Sequence, residues 1–142
     1  MLIEKYLDYL QEFREKPEIK NSRGFVYLFH GTRMPTALVK RRGLTMAHNA
    51  SADARIKGDG IWFTSSEKYA VAYTKEKIFT KKRKGIVLLC KLEMKYLEFV
   101  ERPLFLFDEY VYRKDISPKD IIIEGDSKFS KIVMKLPYLK GK

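Results

Sequence analysis

The sequence predicts a single α+β domain, in which helices dominate the first half of the chain and the second half completes an antiparallel sheet. The 142 residues are 45% hydrophobic and 13% aromatic, which is enough apolar material for one core. Apolar residues at helical spacing occur up to residue 73, and strand-length apolar runs dominate after residue 85. Neither an internal repeat nor a linker between domains is found in residues 1–142.

Residues 1–22 are predicted to form an amphipathic helix followed by a linker. Apolar residues recur at helical spacing between Leu2 and Phe13, and Pro17 ends the pattern. The folded core is then expected to span residues 25–136.

The core begins with a predicted buried strand at residues 25–29, and the tripeptide His30-Gly31-Thr32 follows at its end. A short helix is expected after Pro35, because proline suits the first turn of a helix. Gly43 is suited to a left-handed cap just past the end of that helix.

Residues 45–59 lack apolar periodicity, so a long loop is predicted there. A second strand is predicted at residues 61–64, and Ser65 or Ser66 is the expected cap of the helix that follows. One face of this helix carries Tyr69, Ala70 and Tyr73.

Four further segments show the continuous or alternating apolar pattern of strands: residues 85–92, 104–113, 121–124 and 129–136. Turn residues separate them, which predicts an antiparallel sheet. The single cysteine, Cys90, lies in the first of these segments and is expected to be an inert core residue.

The net charge of +11 is unevenly distributed. Residues 38–57 hold five basic and one acidic residue, and residues 74–84 hold six basic and one acidic, so these two segments account for nine of the eleven charges. A field of this sign attracts nucleic acid, nucleotide phosphates or an acidic protein surface. A solvated lysine-rich surface would have the same composition.

Several classes of protein are excluded by simple counts. The apolar runs are far shorter than the roughly 20 residues of a membrane helix, and acidic residues occupy the start of the chain, so a cytoplasmic protein is expected. One cysteine and two histidines, His30 and His48, match no zinc spacing, so no metal is expected. Phosphate-loop and dinucleotide-binding glycine patterns are also absent.

Three segments carry residues suited to chemistry. His30 beside Gly31 would present an imidazole and bare backbone groups to a ligand. Trp62 and Tyr73 would stack on a flat ring if they converged on one pocket. Glu109 lies in a very apolar strand, where burying a carboxylate without partners is costly. Taken singly, each residue also fits a purely structural role.

In order along the chain, the segments FHGT, GIWFTSSEKYAVAY and FDEYVY resemble the ADP-ribosyltransferase fold. The resemblance is to its His-Tyr-Glu branch, which contains diphtheria toxin and the poly(ADP-ribose) polymerases, and it extends from about residue 25 to residue 123. It implies split antiparallel β-sheets with flanking helices around an NAD cleft.

The resemblance also implies roles for individual residues. His30 would bond the adenine-side ribose, and the Gly31 backbone would hold the nicotinamide carboxamide. Nicotinamide would lie between Trp62 and Tyr73, and Glu109 would be the catalytic glutamate.

Two positions depart from the family pattern. Trp62 replaces the usual first tyrosine, and Ala70 replaces the serine that bonds the carboxamide in many relatives. That bond would fall to Ser65, Ser66 or the backbone, and Thr32 completes the implied NAD-binding set.

The expected activity is mono-ADP-ribosylation, in which NAD is cleaved and ADP-ribose passes to a protein or nucleic-acid acceptor docked on segments 38–57 and 74–84. Toxins of this fold that modify arginine carry Glu or Gln two residues before the catalytic glutamate. This chain has Phe107 at that position, so modification of arginine is not expected. The alternatives are an NAD glycohydrolase, a tRNA 2′-phosphotransferase-like enzyme, an inactive binding module, and a basic nucleic-acid-binding protein without NAD chemistry.

Overall fold

The computed structural model describes residues 24–46, 60–75, 83–100 and 109–135. The strands are β1 (Phe25–Thr32), β2 (Ile61–Phe63), β3 (Ile86–Glu93), β4 (Leu97–Val100), β5 (Glu109–Tyr112) and β6 (Ile121–Ile123). The α-helices are α1 (Thr36–Arg42), α2 (Glu67–Ala72) and α3 (Ser127–Lys135), and 3-10 turns cover Met94–Tyr96 and Pro118–Asp120. This mixture of helices and antiparallel strands confirms the predicted α+β class.

The strands form two three-stranded antiparallel sheets. The first has the order β1-β3-β6, and the second has the order β2-β5-β4. His30 lies opposite Leu88 in the first sheet, and Trp62 lies opposite Val111 in the second. Within the described residues, β1 and β2 are edge strands of their sheets, and both bear predicted site residues.

The alternation of side chains along β1 divides the core into two layers. Val26 and Leu28 belong to a cluster with α1 and the second sheet, which includes Val39 and Phe63. Phe29 belongs to a cluster on the opposite face, where its partners are Ala70, Val87, Leu89 and Phe129. Helices α2 and α3 therefore cover one face of the first sheet, while the second sheet and α1 cover the other.

Two helix boundaries confirm the sequence predictions. Gly43 follows α1 with a φ of 73°, and its N–H donates to the carbonyl oxygen of Val39 at 2.8 Å. Ser66 caps α2, because its hydroxyl oxygen accepts the N–H of Tyr69 at 3.1 Å.

The predicted strand at residues 129–136 is wrong, because residues up to Lys135 form α3. Asp126 initiates this helix by accepting the N–H of Lys128 on its side chain, at 3.0 Å. Phe129, Ile132 and Val133 then pack together against the first sheet at helical spacing.

Two strand boundaries also differ from the prediction. Strand β1 continues through Thr32, so His30 lies within the strand instead of after its end. Strand β4 was not predicted. The predicted N-terminal helix, residues 47–59 of the predicted loop and residues 104–108 of the predicted strand lie outside the described residues.

No helix in the described ranges is long and apolar enough to cross a membrane.

Candidate active site

The two sheets meet at one backbone pair and then separate. Phe29 and Thr64 exchange two hydrogen bonds of 2.8 and 3.0 Å, which join the edges of β1 and β2. In a continuous antiparallel ladder the next bonded pair would be Gly31 and Trp62. Instead the side chain of His30 reaches the Trp62 carbonyl oxygen, with Nδ1 2.8 Å away. A gap therefore opens between the sheets at this point.

Gly31 faces this gap with its backbone. Because Phe29 bonds toward β2, alternation directs the N–H and C=O of Gly31 to the same side, away from β3. Above the sheet, a Cβ at this position would overlap the carbonyl oxygen of Ala70. Glycine is thus required for α2 to pack closely over β1, and its polar backbone groups point into the gap.

The hydrogen bond of His30 fixes its tautomer. A carbonyl oxygen only accepts, so Nδ1 carries the proton. Burial lowers the pKa of His30 to about 4, and the bond to Trp62 opposes this shift. The imidazole is therefore neutral near pH 7, which leaves Nε2 as a hydrogen-bond acceptor.

Three aromatic side chains cluster next to His30. The Trp62 ring centroid lies 5.2 Å from His30, 4.0 Å from Tyr73 and 6.1 Å from Tyr69. Tyr73 directly follows α2 and is 42% exposed. The three aromatic side chains of Trp62, Tyr69 and Tyr73 thus form one continuous cluster.

Trp62 and Tyr73 contact each other directly, which differs from the expectation that nicotinamide lies between them. A flat ring sandwiched by two others needs about 7 Å between the outer rings, since each contact takes about 3.5 Å. The observed 4.0 Å leaves no such space. The pair is closed in this structure, and the ring that would have to move, Tyr73, is the exposed one.

Glu109 is buried at the start of β5 and belongs to the same cluster. The hydroxyl of Tyr69 donates to its Oε1 atom, and the hydroxyls of Tyr69 and Tyr73 lie 3.2 Å apart. Burial, followed by the contact with Glu109, raises the pKa of Tyr69 well above its ordinary value. The Tyr69 phenol is therefore a neutral hydrogen-bond donor to the carboxylate.

Of the seven residues predicted for the site, five are brought together: His30, Gly31, Trp62, Tyr73 and Glu109. The contacts that join these five do not include the other two, Thr32 and Ser65. Thr32 accepts the N–H of Met34 at 3.1 Å and shapes the turn after β1. Ser65 is buried between the Thr64 bridge and the capping Ser66.

Tyr69 is the residue that sequence reasoning left out of the site. The signal was present, because Tyr69 and Tyr73 are separated by one helical turn and share a face. What the sequence lacked was the partner, Glu109, which lies 40 positions further along the chain.

Of the basic segment 74–84, residues 76–82 lie outside the described residues. Within the described part, Arg83 has a structural role. Arg83 forms a bidentate ion pair with Glu124, in which Nη1 donates to Oε2 at 3.0 Å and Nη2 donates to Oε1. Its Nε atom donates to the buried hydroxyl of Thr74 at 3.0 Å. The interaction with Glu124 raises the pKa of Arg83 further and lowers the pKa of Glu124. This arginine is therefore not a free phosphate ligand.

The basic residues of segment 38–57 that the structure describes cluster at the end of α1. Lys40, Arg41 and Arg42 occupy its last turn and are exposed. A cavity of about 280 Å³ lies beside this turn. Its lining residues are Met34, Leu38, Arg42, Gly43 and Thr45.

Comparisons with protein-family models, with curated proteins and with solved structures find no match to this chain. Within the described residues, no group of three or more His, Cys, Asp or Glu side chains is placed to hold a metal ion.

Proposed function

We propose that this protein is a mono-ADP-ribosyltransferase that cleaves NAD at the nicotinamide N-glycosidic bond. The observation that carries the proposal is the convergence of His30, the Gly31 backbone, Trp62, Tyr73 and Glu109 at the gap between the two sheets. These residues come from three separate sequence segments, and each has the chemistry that one part of NAD requires.

The proposed binding mode assigns one group to each part of the substrate. Nε2 of neutral His30 accepts a hydrogen bond from a ribose hydroxyl. The N–H and C=O of Gly31 pair with the oxygen and amide of the nicotinamide carboxamide. Nicotinamide enters when the Trp62 and Tyr73 rings part, and its faces then stack on both.

Glu109 supplies the charge that the reaction needs. Loss of neutral nicotinamide leaves an oxocarbenium-like ribose, as in glycoside hydrolysis, and a nearby carboxylate stabilises its positive charge. The electron pair of the broken C–N bond leaves with nicotinamide. The acceptor's nucleophile forms the new bond to the ribose carbon, and Glu109 takes up the acceptor's proton.

The adenosine diphosphate half of NAD is assigned to the cavity beside α1. Its apolar lining suits an adenine ring, and Arg42 provides a cation for a phosphate oxygen. The turn shaped by Thr32 and Met34 connects this cavity to His30 along the chain.

The experiment is incubation of the purified protein with adenylate-labelled NAD and a cell extract, with Glu109→Gln as the matched inactive control. Label on protein or on nucleic acid supports transfer and identifies the acceptor class. Free labelled ADP-ribose alone identifies an NAD glycohydrolase. Label that stays in NAD at the level of the Glu109→Gln control refutes the proposal.

A further inference from the structure

We infer that Tyr69 is a positioning residue that holds the Glu109 carboxylate in its reactive orientation. The inference rests on the proposed NAD chemistry, and it adds a residue that the family resemblance does not supply. It follows from the hydrogen bond that α2 makes to β5 across the site.

The surroundings of Glu109 show why a positioning donor is needed. Its residue surface is only 4% exposed, so water contributes little to its solvation. A buried carboxylate must receive hydrogen bonds from the protein, and the Tyr69 hydroxyl provides one to Oε1. This bond restricts rotation of the carboxyl group about its last side-chain torsion, which is otherwise soft.

The Tyr69 phenol is itself held on several sides. It has one proton, which it donates to Glu109, so the bond of 3.2 Å between the two tyrosine hydroxyls must be donated by Tyr73. The Tyr69 ring also packs against Tyr73 edge-on at 5.4 Å and against Trp62 at 6.1 Å. Hydrogen bonds therefore run from Tyr73 through Tyr69 to Glu109.

Through these hydrogen bonds, the contact between Trp62 and Tyr73 is connected to the Glu109 carboxylate. The Tyr73 ring contacts Trp62, and the Tyr73 hydroxyl donates to Tyr69. When Tyr73 moves to admit a ring, the bond from Tyr69 to Glu109 continues to hold the carboxylate, because a different side chain makes it. A residue with this task affects the chemical step more than substrate affinity.

The test uses Tyr69→Phe, which removes the hydroxyl and keeps the ring, and measures kcat and KM by nicotinamide release. We expect kcat to fall about 10- to 100-fold, the range for losing a hydrogen bond to a charged group, with KM changed less than about twofold. Tyr96→Phe, at an exposed tyrosine outside the site, should leave kcat unchanged.

Two further variants separate positioning from general stability. In a Glu109→Gln background, Tyr69→Phe should cause little further loss, because the group it positions is already inactive. A fluorinated tyrosine at position 69 keeps the donating hydroxyl in nearly the same shape, so it should fold as the wild type does and retain the wild-type kcat.

The outcomes are distinct. An active wild type whose kcat is unaltered in Tyr69→Phe overturns this inference and leaves the proposed function standing. A wild type that releases no nicotinamide overturns both. A lowered kcat in Tyr69→Phe with KM nearly unchanged, and with little further loss in the Glu109→Gln background, supports the positioning role.

Discussion

Nδ1 of His30 donates to the carbonyl oxygen of Trp62 across 2.8 Å, at the point where the two sheets separate. In a continuous ladder, that oxygen would accept the backbone N–H of Gly31. The imidazole occupies the acceptor in place of the backbone, and the Gly31 backbone is left facing the gap. One side chain thus interrupts sheet pairing and creates the space in which a ligand is proposed to bind.

The burial of His30 predicts a specific dependence of stability on pH. Its pKa is lowered from 6.5 to about 4, so the unfolded chain binds the proton more readily than the folded one between these values. His30 therefore does not lower the free energy of unfolding above pH 6.5. As the pH decreases toward 4, protonation of the unfolded chain lowers that free energy by roughly 3 kcal/mol in total. Urea unfolding at pH 7.5 and pH 4.5 should show this loss in the wild type.

The matched variant is His30→Gln, which has no titrating ring. Its stability should change less between the two pH values than that of the wild type. An equal change in both proteins would contradict the assignment of the effect to His30.

Gly31→Ala tests the close packing of α2 over β1. The added methyl would overlap the carbonyl oxygen of Ala70, a backbone atom that cannot rotate away. We expect a loss of about 3 kcal/mol or more in the free energy of unfolding, measured in denaturant. Gly24→Ala is the control, since a Cβ there meets nothing within 4 Å and only its positive φ is strained. A smaller loss for Gly31→Ala than for Gly24→Ala would contradict the packing argument.

Trp62 provides a direct reporter of ligand entry. It is the single tryptophan of the chain, and it contacts Tyr73 at a centroid distance of 4.0 Å. Binding of NAD should separate the two rings and change the emission of Trp62. Trp62→Ala should weaken NAD binding in calorimetry by about tenfold, as expected for the loss of one stacking partner, and Trp62→Phe should weaken it less. Unchanged emission at saturating NAD would show that the ligand does not enter between the rings.

Neutralising Arg83 should destabilise the fold more than neutralising an exposed lysine. Arg83→Gln removes the bidentate ion pair with Glu124 and the bond to Thr74, so it should cost about 1–2 kcal/mol of stability. Lys131→Gln removes the same charge from an exposed site on α3 and should cost less than about 0.5 kcal/mol. Equal thermal midpoints for the two variants would contradict the structural role of Arg83. Charge at residues 74–84 is therefore best tested by neutralising its lysines and keeping Arg83.

Local patterns predicted the fold where a short segment determines its own conformation. The caps at Gly43 and Ser66 are of this kind, because the bonds involved lie within a few residues. The predicted strand at residues 129–136 was wrong. Ile132 and Val133 have high strand propensity, but they lie in α3 and pack on the sheet at helical spacing. There the tertiary contact decided the conformation.

The sequence indicated which residues belong to the candidate site, but it did not indicate the contacts between their side chains. The resemblance of three sequence segments to a known fold predicted that His30, Trp62 and Glu109 lie near one another, but the contact between Trp62 and Tyr73 depends on side-chain orientation. The bond between Tyr69 and Glu109 depends on where α2, which packs on the first sheet, is placed relative to β5 of the second sheet. Neither relationship has a local signature in the sequence.

The most direct test of the proposed activity is nicotinamide release from NAD by the purified protein and by Glu109→Gln. We expect release by the wild type and a loss on the order of 10² or more in the variant. NAD affinity, followed by Trp62 emission, should remain within about threefold, because Glu109 acts on charge that develops during the reaction. Equal turnover in the two proteins, or no turnover by the wild type, would refute the proposed activity.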